Sequence, residues 1–317
     1  MGLVIGLGGV GNAGGGGGST GGGGSTGGLI QDMAGVTCSG SAEITDKNIT
    51  EFPGADCRYL TSFSSLFYDC MNLSKVGELK NTDRITDTGN MFFSCYNLTE
   101  APFFDTKNVT NMWGMFGYSG VTTVHAFDTR NVTDMGSMFS GCSNLQTVPA
   151  FNTSNVTNMN SMFNSCSSLQ KVPAFDTSKV NEMGWMFYCC QNIQSIPEFD
   201  TSKVTNMYNM FTSCEQLRII EGVIDMVCVE YDDNTNGMFN YCTSLVTANI
   251  SNLGVSLDLS YCKALSIDSV LYLFNNAKSG VSGKTIQLNS LVFDQLTEEQ
   301  IAIATQKGFS VSSVVRS

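Results

Sequence analysis

The feature that most constrains this chain is a sequence repeat of about 24 residues. Each copy follows the pattern Met-Phe-x-x-Cys-x-x-Leu, with small departures, and a shorter copy begins at Met115. The other copies begin at Met91, Met138, Met162, Met186, Met210 and Met238. A fixed period of this length is the signature of supersecondary units that bury their apolar faces only by stacking on one another. The sequence therefore predicts a solenoid.

One unit shows how the predicted coil is built. Residues 145–148 form a short apolar run that ends at Pro149, which is typical of a brief strand. Residues 152–155 are Asn, Thr, Ser and Asn, which favour a turn. Apolar side chains then recur every three or four residues, which predicts a helical turn, at Val156, Met159, Met162, Phe163 and Cys166. Two inner columns are expected, one of phenylalanine (Phe103/Phe104, Phe127, Phe151, Phe175, Phe199) and one of methionine (Met112, Met135, Met159, Met183, Met207).

The repeat resembles the BspA-type leucine-rich-repeat surface proteins, which gut bacteria and their phages encode. The residues that carry the resemblance are the Phe-Asp-Thr-Ser-Lys-Val-x-x-Met blocks at 175–183 and 199–207 and the Met-Phe-x-x-Cys-x-x-Leu segments after them. It covers roughly residues 42–317. It implies an α/β repeat fold, a leucine-rich-repeat solenoid. For function it implies surface display and binding, without catalytic residues.

Three regions are expected. Residues 1–41 form a glycine-rich N-terminal anchor and linker, residues 42–265 the solenoid, and residues 266–317 a small α/β C-terminal cap. The cap is predicted to contain a helix over 266–277, a strand over 285–288 and a second helix over 297–307. Thr297 and Gln300 fit a capping box at the start of that second helix, and Gly308 follows its end.

The N-terminal region suggests an assembly anchor. Glycine tracts at 14–18 and 21–24 alternate with Ser-Thr pairs and read as a flexible linker. Five aliphatic residues precede the linker, too few to fold alone: Leu3, Val4, Ile5, Leu7 and Val10. We expect them to dock onto another protein of a larger particle, whereas the alternative is a disordered tail.

Charge and hydropathy exclude several partners. The net charge is −12 and no Lys/Arg cluster occurs, which argues against nucleic acid and against anionic membrane surfaces. No apolar stretch is long enough for a membrane span, and the N-terminus lacks the basic start of an export signal. These features favour a virion protein assembled in the host cytoplasm, such as a phage head or tail fibre or a decoration protein. A bacterial cell-surface adhesin is the alternative.

No catalytic residue, metal site or cofactor is expected. The chain has one histidine, His125, at a position where other repeats carry proline, so it reads as a substituted strand end. The Gly-x-Gly-x-x-Gly match at 6–11 lacks the helix start that a dinucleotide site needs. Aspartates recur once per coil as a row rather than as the pair of a glycan hydrolase, and turn capping explains them better than calcium does (Asp105, Asp128, Asp176, Asp200).

Eight cysteines recur once per coil and should stack in one column: Cys70, Cys95, Cys142, Cys166, Cys190, Cys214, Cys242 and Cys262. A reduced, buried ladder is expected because free cysteine packs as a small hydrophobe. Disulfides between neighbouring coils are the alternative. Cys189 breaks the column and is expected to be more exposed.

Aromatic side chains at variable positions are the candidate binding residues: Phe93, Trp113, Tyr118, Trp185, Tyr188 and Tyr208. Outward-facing aromatics stack on sugars or anchor a protein partner, so a host-surface glycan or protein is the expected ligand. The alternative is that these rings only pack over the ridges between coils. A homo-oligomer is also compatible with the sequence.

Overall fold

The computed structural model describes residues 5–7, 42–44 and 46–316, and the chain is a β-solenoid of about 11 coils with few helices. At its start, strand β1 (Ile5–Leu7) pairs antiparallel with β2 (Ala42–Ile44), so that Ile5 lies opposite Ile44. The other predicted anchor residues, Leu3, Val4 and Val10, lie outside the described residues. The predicted domain boundaries stay predictions.

Regular strands occur near the two ends of the solenoid. Near the first coils, β3 (Glu51–Phe52) pairs with β5 (Lys75–Val76), and β4 (Ala55–Asp56) pairs with β6 (Leu79–Lys80), both parallel. Further on, a parallel sheet joins β7 (Ser195–Ile196), β8 (Ile219–Asp225) and β9 (Thr247–Ser251) in that order. A 3₁₀ helix, Asp232–Thr235, lies between β8 and the Met238-Phe239 pair of the next coil.

The predicted strand at 145–148 is reduced to single backbone contacts in the middle coils. The amide of Gln170 donates to the carbonyl of Gln146 at 3.1 Å, and residues 145–148 form no strand. Pro149 follows this run, and a proline has no amide hydrogen with which to extend a ladder. Strand β8 supports this reason, because it carries Glu221 where the preceding coil carries Pro197, and it runs for seven residues.

The predicted helical turn is instead a run of tight turns, which corrects that part of the expectation. Amides of alternate residues bond to the next coil, as in Phe92 N to Met115 O at 2.8 Å and Ser94 N to Gly117 O at 2.7 Å. The amides between them close local turns, as in Phe93 N to Asn90 O at 3.1 Å. An α-helix satisfies its amides within one segment and leaves none for a neighbour. Stacking therefore selects a conformation with half of its amides directed along the solenoid axis.

The core consists of side-chain columns parallel to that axis. The Phe of each Met-Phe pair is buried, and successive rings from Phe67 to Phe239 stack with centroids 5.3–5.8 Å apart. The predicted methionine column, Met112 to Met207, is fully buried. The predicted phenylalanine column is also buried. Of the pair Phe103/Phe104, Phe104 occupies the column and Phe103 is 71% exposed.

The cysteines form the predicted column, and the described cysteines are free thiols. Seven of the eight ladder thiols, from Cys95 to Cys262, donate to the carbonyl of the Phe in the preceding coil, at 3.0 Å for Cys166 to Phe139 and for Cys190 to Phe163. Burial raises the pKa of the Cys142 and Cys242 thiols to about 12. The ladder thus combines apolar packing with a hydrogen bond between coils.

The C-terminal cap matches its predicted elements. Strands β10 (Leu257–Leu259), β11 (Lys284–Asn289) and β12 (Phe309–Val314) form a parallel sheet that continues the stack. Helices α2 (Ser290–Phe293) and α3 (Glu298–Thr305) pack against this sheet, and helix α1 (Ile267–Asn276) packs against β9 and α3. The capping box of Thr297 and Gln300 is present. Among the described residues, no helix combines the length and apolar content needed to cross a bilayer.

Candidate functional site

The surface that carries the candidate aromatics is a strip along one side of the coils, which we call the turn face. In each coil it comprises the two residues before and the two after a buried Met-Phe or Leu-Phe pair. The eight windows that define it are 64–69, 89–94, 113–118, 136–141, 160–165, 184–189, 208–213 and 236–241. In every window the second and sixth residues have positive φ, because the two successive tight turns require it.

The first aromatic cluster lies on three consecutive coils. Tyr68 and Phe93 stack with ring centroids 5.3 Å apart, and Phe93 meets Tyr118 edge-on at 5.4 Å. Sequence reasoning selected Phe93 and Tyr118 but missed Tyr68. The signal was available, since Tyr68 and Phe93 both directly follow the core phenylalanine of their coils.

The rings of Phe93, Trp113 and Tyr118 lie over glycines of the next coil. A Cβ atom on Gly117 would come within 2.6 Å of the Phe93 ring, and one on Gly136 within 2.8 Å of Trp113. Tyr118 covers Gly141 in the same way. These three rings therefore pack over the ridges between coils. Whether they also bind a ligand stays a prediction. Trp113 and Tyr118 nevertheless stay 41% and 46% exposed, so each presents one ring surface to solvent.

The second cluster lies three coils further along. Trp185 and Tyr208 contact each other with ring centroids 4.7 Å apart, and both are half-buried. Tyr188 lies on the same coil as Trp185, next to Cys189. Charge repulsion from Cys189, with burial second, raises the pKa of the Tyr188 hydroxyl. The six predicted residues therefore form two groups on one face rather than one site.

A third aromatic group, at the C-terminal end, was missed. The rings of Tyr241 and Tyr261 lie 4.5 Å apart, and the Arg316 guanidinium lies 4.6 Å from the Tyr261 ring centroid. Tyr241 occupies the same window position as Tyr118, so alignment of the repeats could have found it. The contact with Arg316 depends on the fold of the cap and has no local signal in the sequence.

A family comparison is decisive for classification. The family model described as "Mycoplasma protein of unknown function, DUF285" matches residues 61–171, 118–220 and 168–279, which together span more than half of the chain. The chain belongs to this family. The match supports the BspA-type repeat resemblance. Among solved structures, the chain is similar to a leucine-rich repeat protein from Bacteroides ovatus, with 13% identity, a TM-score of 0.27, and coverage of 82% of this chain and 83% of that one. No curated protein matches the chain in sequence.

Three aromatics of this DUF285 chain occupy positions that disfavour them. Tyr118, Trp185 and Tyr241 have φ of 55°, 54° and 59°. The other coils place Asp, Asn, Ser, Gly or Cys at these positions. A bulky side chain in the left-handed region costs about 1–2 kcal/mol. Backbone strain of this kind is concentrated at functional sites, so these three positions are candidates for a functional role.

An alternating row of acids and amides borders the turn face. Parallel bridges connect successive members of this row: Asp87, Asn111, Asp134, Asn158, Glu182 and Asn206. The Asp87 carboxylate accepts hydrogen bonds from the Gly89 amide at 2.9 Å and from Asn111 Nδ2 at 2.9 Å. Asp134 binds Gly136 and Asn158 in the same way. Alternation separates the aspartates by an amide donor and stabilises the stack.

The remaining candidates of the DUF285 chain lie away from the turn face. The recurring aspartates accept hydrogen bonds from backbone amides two residues later, as in Asp200 Oδ1 from Ser202 N at 3.0 Å. They cap turns, as expected. His125 is exposed, with its ring 6.2 Å from that of Phe103. The described residues contain no group of three or more His, Cys, Asp or Glu side chains that could hold a metal ion.

Proposed function

We propose that this chain is a non-enzymatic virion protein, such as a phage fibre or decoration protein, that binds a partner or host-surface polymer through its turn face. Its N-terminal segment would attach it to other virion proteins, and the glycine-rich stretch at 14–24 would act as the tether. The observation that carries the binding role is the set of half-exposed aromatics held at strained backbone positions: Tyr118, Trp185 and Tyr241.

The chemistry of the turn face supports binding over catalysis. Within the eight defined windows, Asp69 is the single carboxylate and no histidine occurs. General acid–base chemistry on a glycan needs two carboxyl groups that flank one bond. The recurring aspartates Asp105, Asp176 and Asp200 are engaged with the amides of their own turns. A row of caps of this kind presents single carboxylates one coil apart rather than a pair that flanks one bond.

A bacterial cell-surface adhesin is the second candidate. The observation that favours it is the family match, whose description refers to Mycoplasma, a cellular bacterium rather than a phage. Both candidates use the same binding face and differ in what the N-terminus attaches to.

The binding role is tested with labelled full-length chain on host cells. The double variant Trp113→Ala/Trp185→Ala should lose most of the cell-bound signal, while Phe103→Ala removes an exposed aromatic outside the turn face and should leave the signal unchanged. Both variants must retain the circular dichroism spectrum of the parent. Equal binding by parent and double variant would contradict the proposed function.

The location is tested on gradient-purified phage particles. Peptides of this chain should appear among the virion proteins by mass spectrometry, and a chain that lacks residues 1–28 should fold but fail to enter the particles. Recovery of the chain from the envelope of uninfected bacteria, with none in particles, would favour the adhesin instead.

A further inference from the structure

The turn face is almost free of charge in a strongly acidic protein. The whole chain carries a net charge of −12, yet among the four turn-face positions of the eight coils Asp69 is the one charged residue. The others are Ser, Asn, Thr, Gly, Cys and aromatic residues. A surface that bound a charged ligand would place opposite charges against it, because electrostatic complementarity gives such complexes their specificity. The composition of this strip therefore fits an uncharged ligand.

The acids that border the turn face strengthen this point. Asp87, Asp134 and Glu182 follow its edge, and the two aspartates accept hydrogen bonds from amides. They would repel a polyanion that lay along the strip, and a polycation would find few carboxylates on the strip itself.

Two aromatic groups are separated by coils with small polar residues. Trp113 and Tyr118 lie on one coil and Trp185 and Tyr188 three coils later, which is a separation of roughly 14 Å at the usual spacing of stacked strands. The turn-face positions of the two coils between them, in windows 136–141 and 160–165, carry Gly, Ser and Asn. This stretch has no apolar side chain to form the centre of a protein–protein hot spot.

One of these two coils, that of window 160–165, offers unused hydrogen-bond donors. Asn160 and Asn164 are half-buried, and their side-chain oxygens accept from Ser161 and Ser165 at 2.9 and 2.7 Å. Their side-chain amide nitrogens donate to no atom of the described residues. Two unused donors on one coil, between two pairs of aromatic rings, suit a ligand that presents oxygen acceptors.

We infer that the ligand of the turn face is a neutral polysaccharide that lies along the solenoid axis, an inference that rests on the proposed binding function. Its C–H faces stack on the aromatics at either end, and its hydroxyl groups accept hydrogen bonds from Asn160 and Asn164 between them. A polymer laid along the axis meets equivalent positions on every coil. The near absence of charge on the strip, and the two amides between the groups of aromatic rings, favour this chemical class.

The experiment is affinity electrophoresis of the full-length chain in gels that contain soluble polysaccharides. The neutral set is hydroxyethyl cellulose, a galactomannan, an arabinoxylan and an α-glucan. The anionic set is carboxymethyl cellulose and polygalacturonate. At least one neutral polymer should retard the chain, the anionic polymers should not, and added NaCl should leave the retardation unchanged.

Three variants identify the surface responsible. Trp113→Ala/Trp185→Ala should weaken retardation roughly tenfold or more, the scale of losing aromatic anchors. Asn160→Asp/Asn164→Asp keeps the shape and the acceptor oxygens, removes both donors and adds charge, and it should weaken binding to a similar degree. Phe103→Ala, outside the face, should bind as the parent does.

Several results would overturn the inference: no retardation by any neutral polymer, retardation by the anionic set alone, or unchanged binding in either double variant. Its failure is distinguishable from failure of the proposed function. If the chain binds host cells through Trp113 and Trp185, and protease rather than periodate treatment of the cells abolishes this, the ligand is a protein and only the inference falls. If no binding to cells depends on these residues, both fall.

Discussion

Two solvent-facing strips of the same coils differ in what their polar atoms do. On the strip that we call the aspartate edge, Asp105, Asp128, Asn152, Asp176 and Asp200 recur in register, and each caps its own turn. On the turn face, the equivalent positions change from coil to coil and include aromatics at positive φ. The edge repeats because every coil needs its cap, whereas the face varies because its side chains lie outside the shared backbone ladder.

The buried columns behind both strips give the reference for how much a substitution on either strip changes the free energy of unfolding. Phe163 is fully buried, with its ring centroid 5.7 Å from Phe139 and 5.6 Å from Phe187. Phe163→Ala should lower the free energy of unfolding by about 3–5 kcal/mol, because it removes contacts with two neighbouring coils and leaves a cavity. Denaturant unfolding measures the loss. Phe103→Ala, at an exposed ring, is the control and should cost little; equal losses would mean that the columns are not the core.

Adjacent cysteines sharpen the contrast between face and core. Cys189 is half-buried on the turn face, while Cys190 is buried behind it and donates to Phe163. Burial raises the pKa of the Cys190 thiol, so it holds little thiolate at neutral pH. Native-state alkylation followed by peptide mapping should label Cys189 faster by orders of magnitude. Similar rates at the two positions would contradict the assigned faces.

The aspartate edge should affect stability and its pH dependence, without affecting binding. Hydrogen bonds from the Ser202 hydroxyl and amide lower the pKa of Asp200. A carboxyl group with a lowered folded-state pKa stabilises the fold above its unfolded pKa, and this contribution is lost as pH falls through the folded value. Asp200→Ala should cost about 0.5–1 kcal/mol at neutral pH, a modest value because the group is largely exposed.

The pH dependence of this edge has a matched control. Asp200→Asn keeps the acceptor oxygen, as Asn152 does naturally when it accepts from Ser154 N at 3.2 Å. It should retain most of the stability at neutral pH and remove the acid-dependent part. Unfolding curves at neutral pH and at about pH 3, where aspartates become protonated, would show a parent-to-Asn difference that diminishes in acid. A parent-to-Asn difference in unfolding free energy that grows in acid would contradict the lowered pKa of Asp200.

The smallest expected effect on stability is on the turn face itself. Asn90 and Asn209 occupy the position of Trp185 in other coils, with φ of 54° and 52° against 54°. Trp185→Asn relieves the backbone cost of a bulky residue but loses the contact with Tyr208, so we expect a net change within about 1 kcal/mol in either direction. Chemical denaturation measures it alongside the binding assay. A loss of stability comparable to that of Phe163→Ala would show that Trp185 belongs to the core and not to the turn face.

Particular residues show how far sequence reasoning reached. The methionine and cysteine columns and the capped helix after Thr297 were predictable, because each depends on a period or on a local hydrogen-bond pattern. The turn segments were mispredicted as helical, since apolar spacing of three and four is common to a helix and to successive tight turns. At the candidate site, Phe93 and Tyr118 were predicted to lie outward, but their ring contact and the glycines beneath them were not.

The sequence by itself determined the stacking, because apolar residues at a 24-residue period have no way to leave water except in columns shared by neighbouring coils. Tertiary structure decided which amides bond along the axis and which positions take positive φ. It also decided that aromatics from separate coils share one strip that is almost free of charge. These features depend on the relative placement of coils, which no local run of residues encodes.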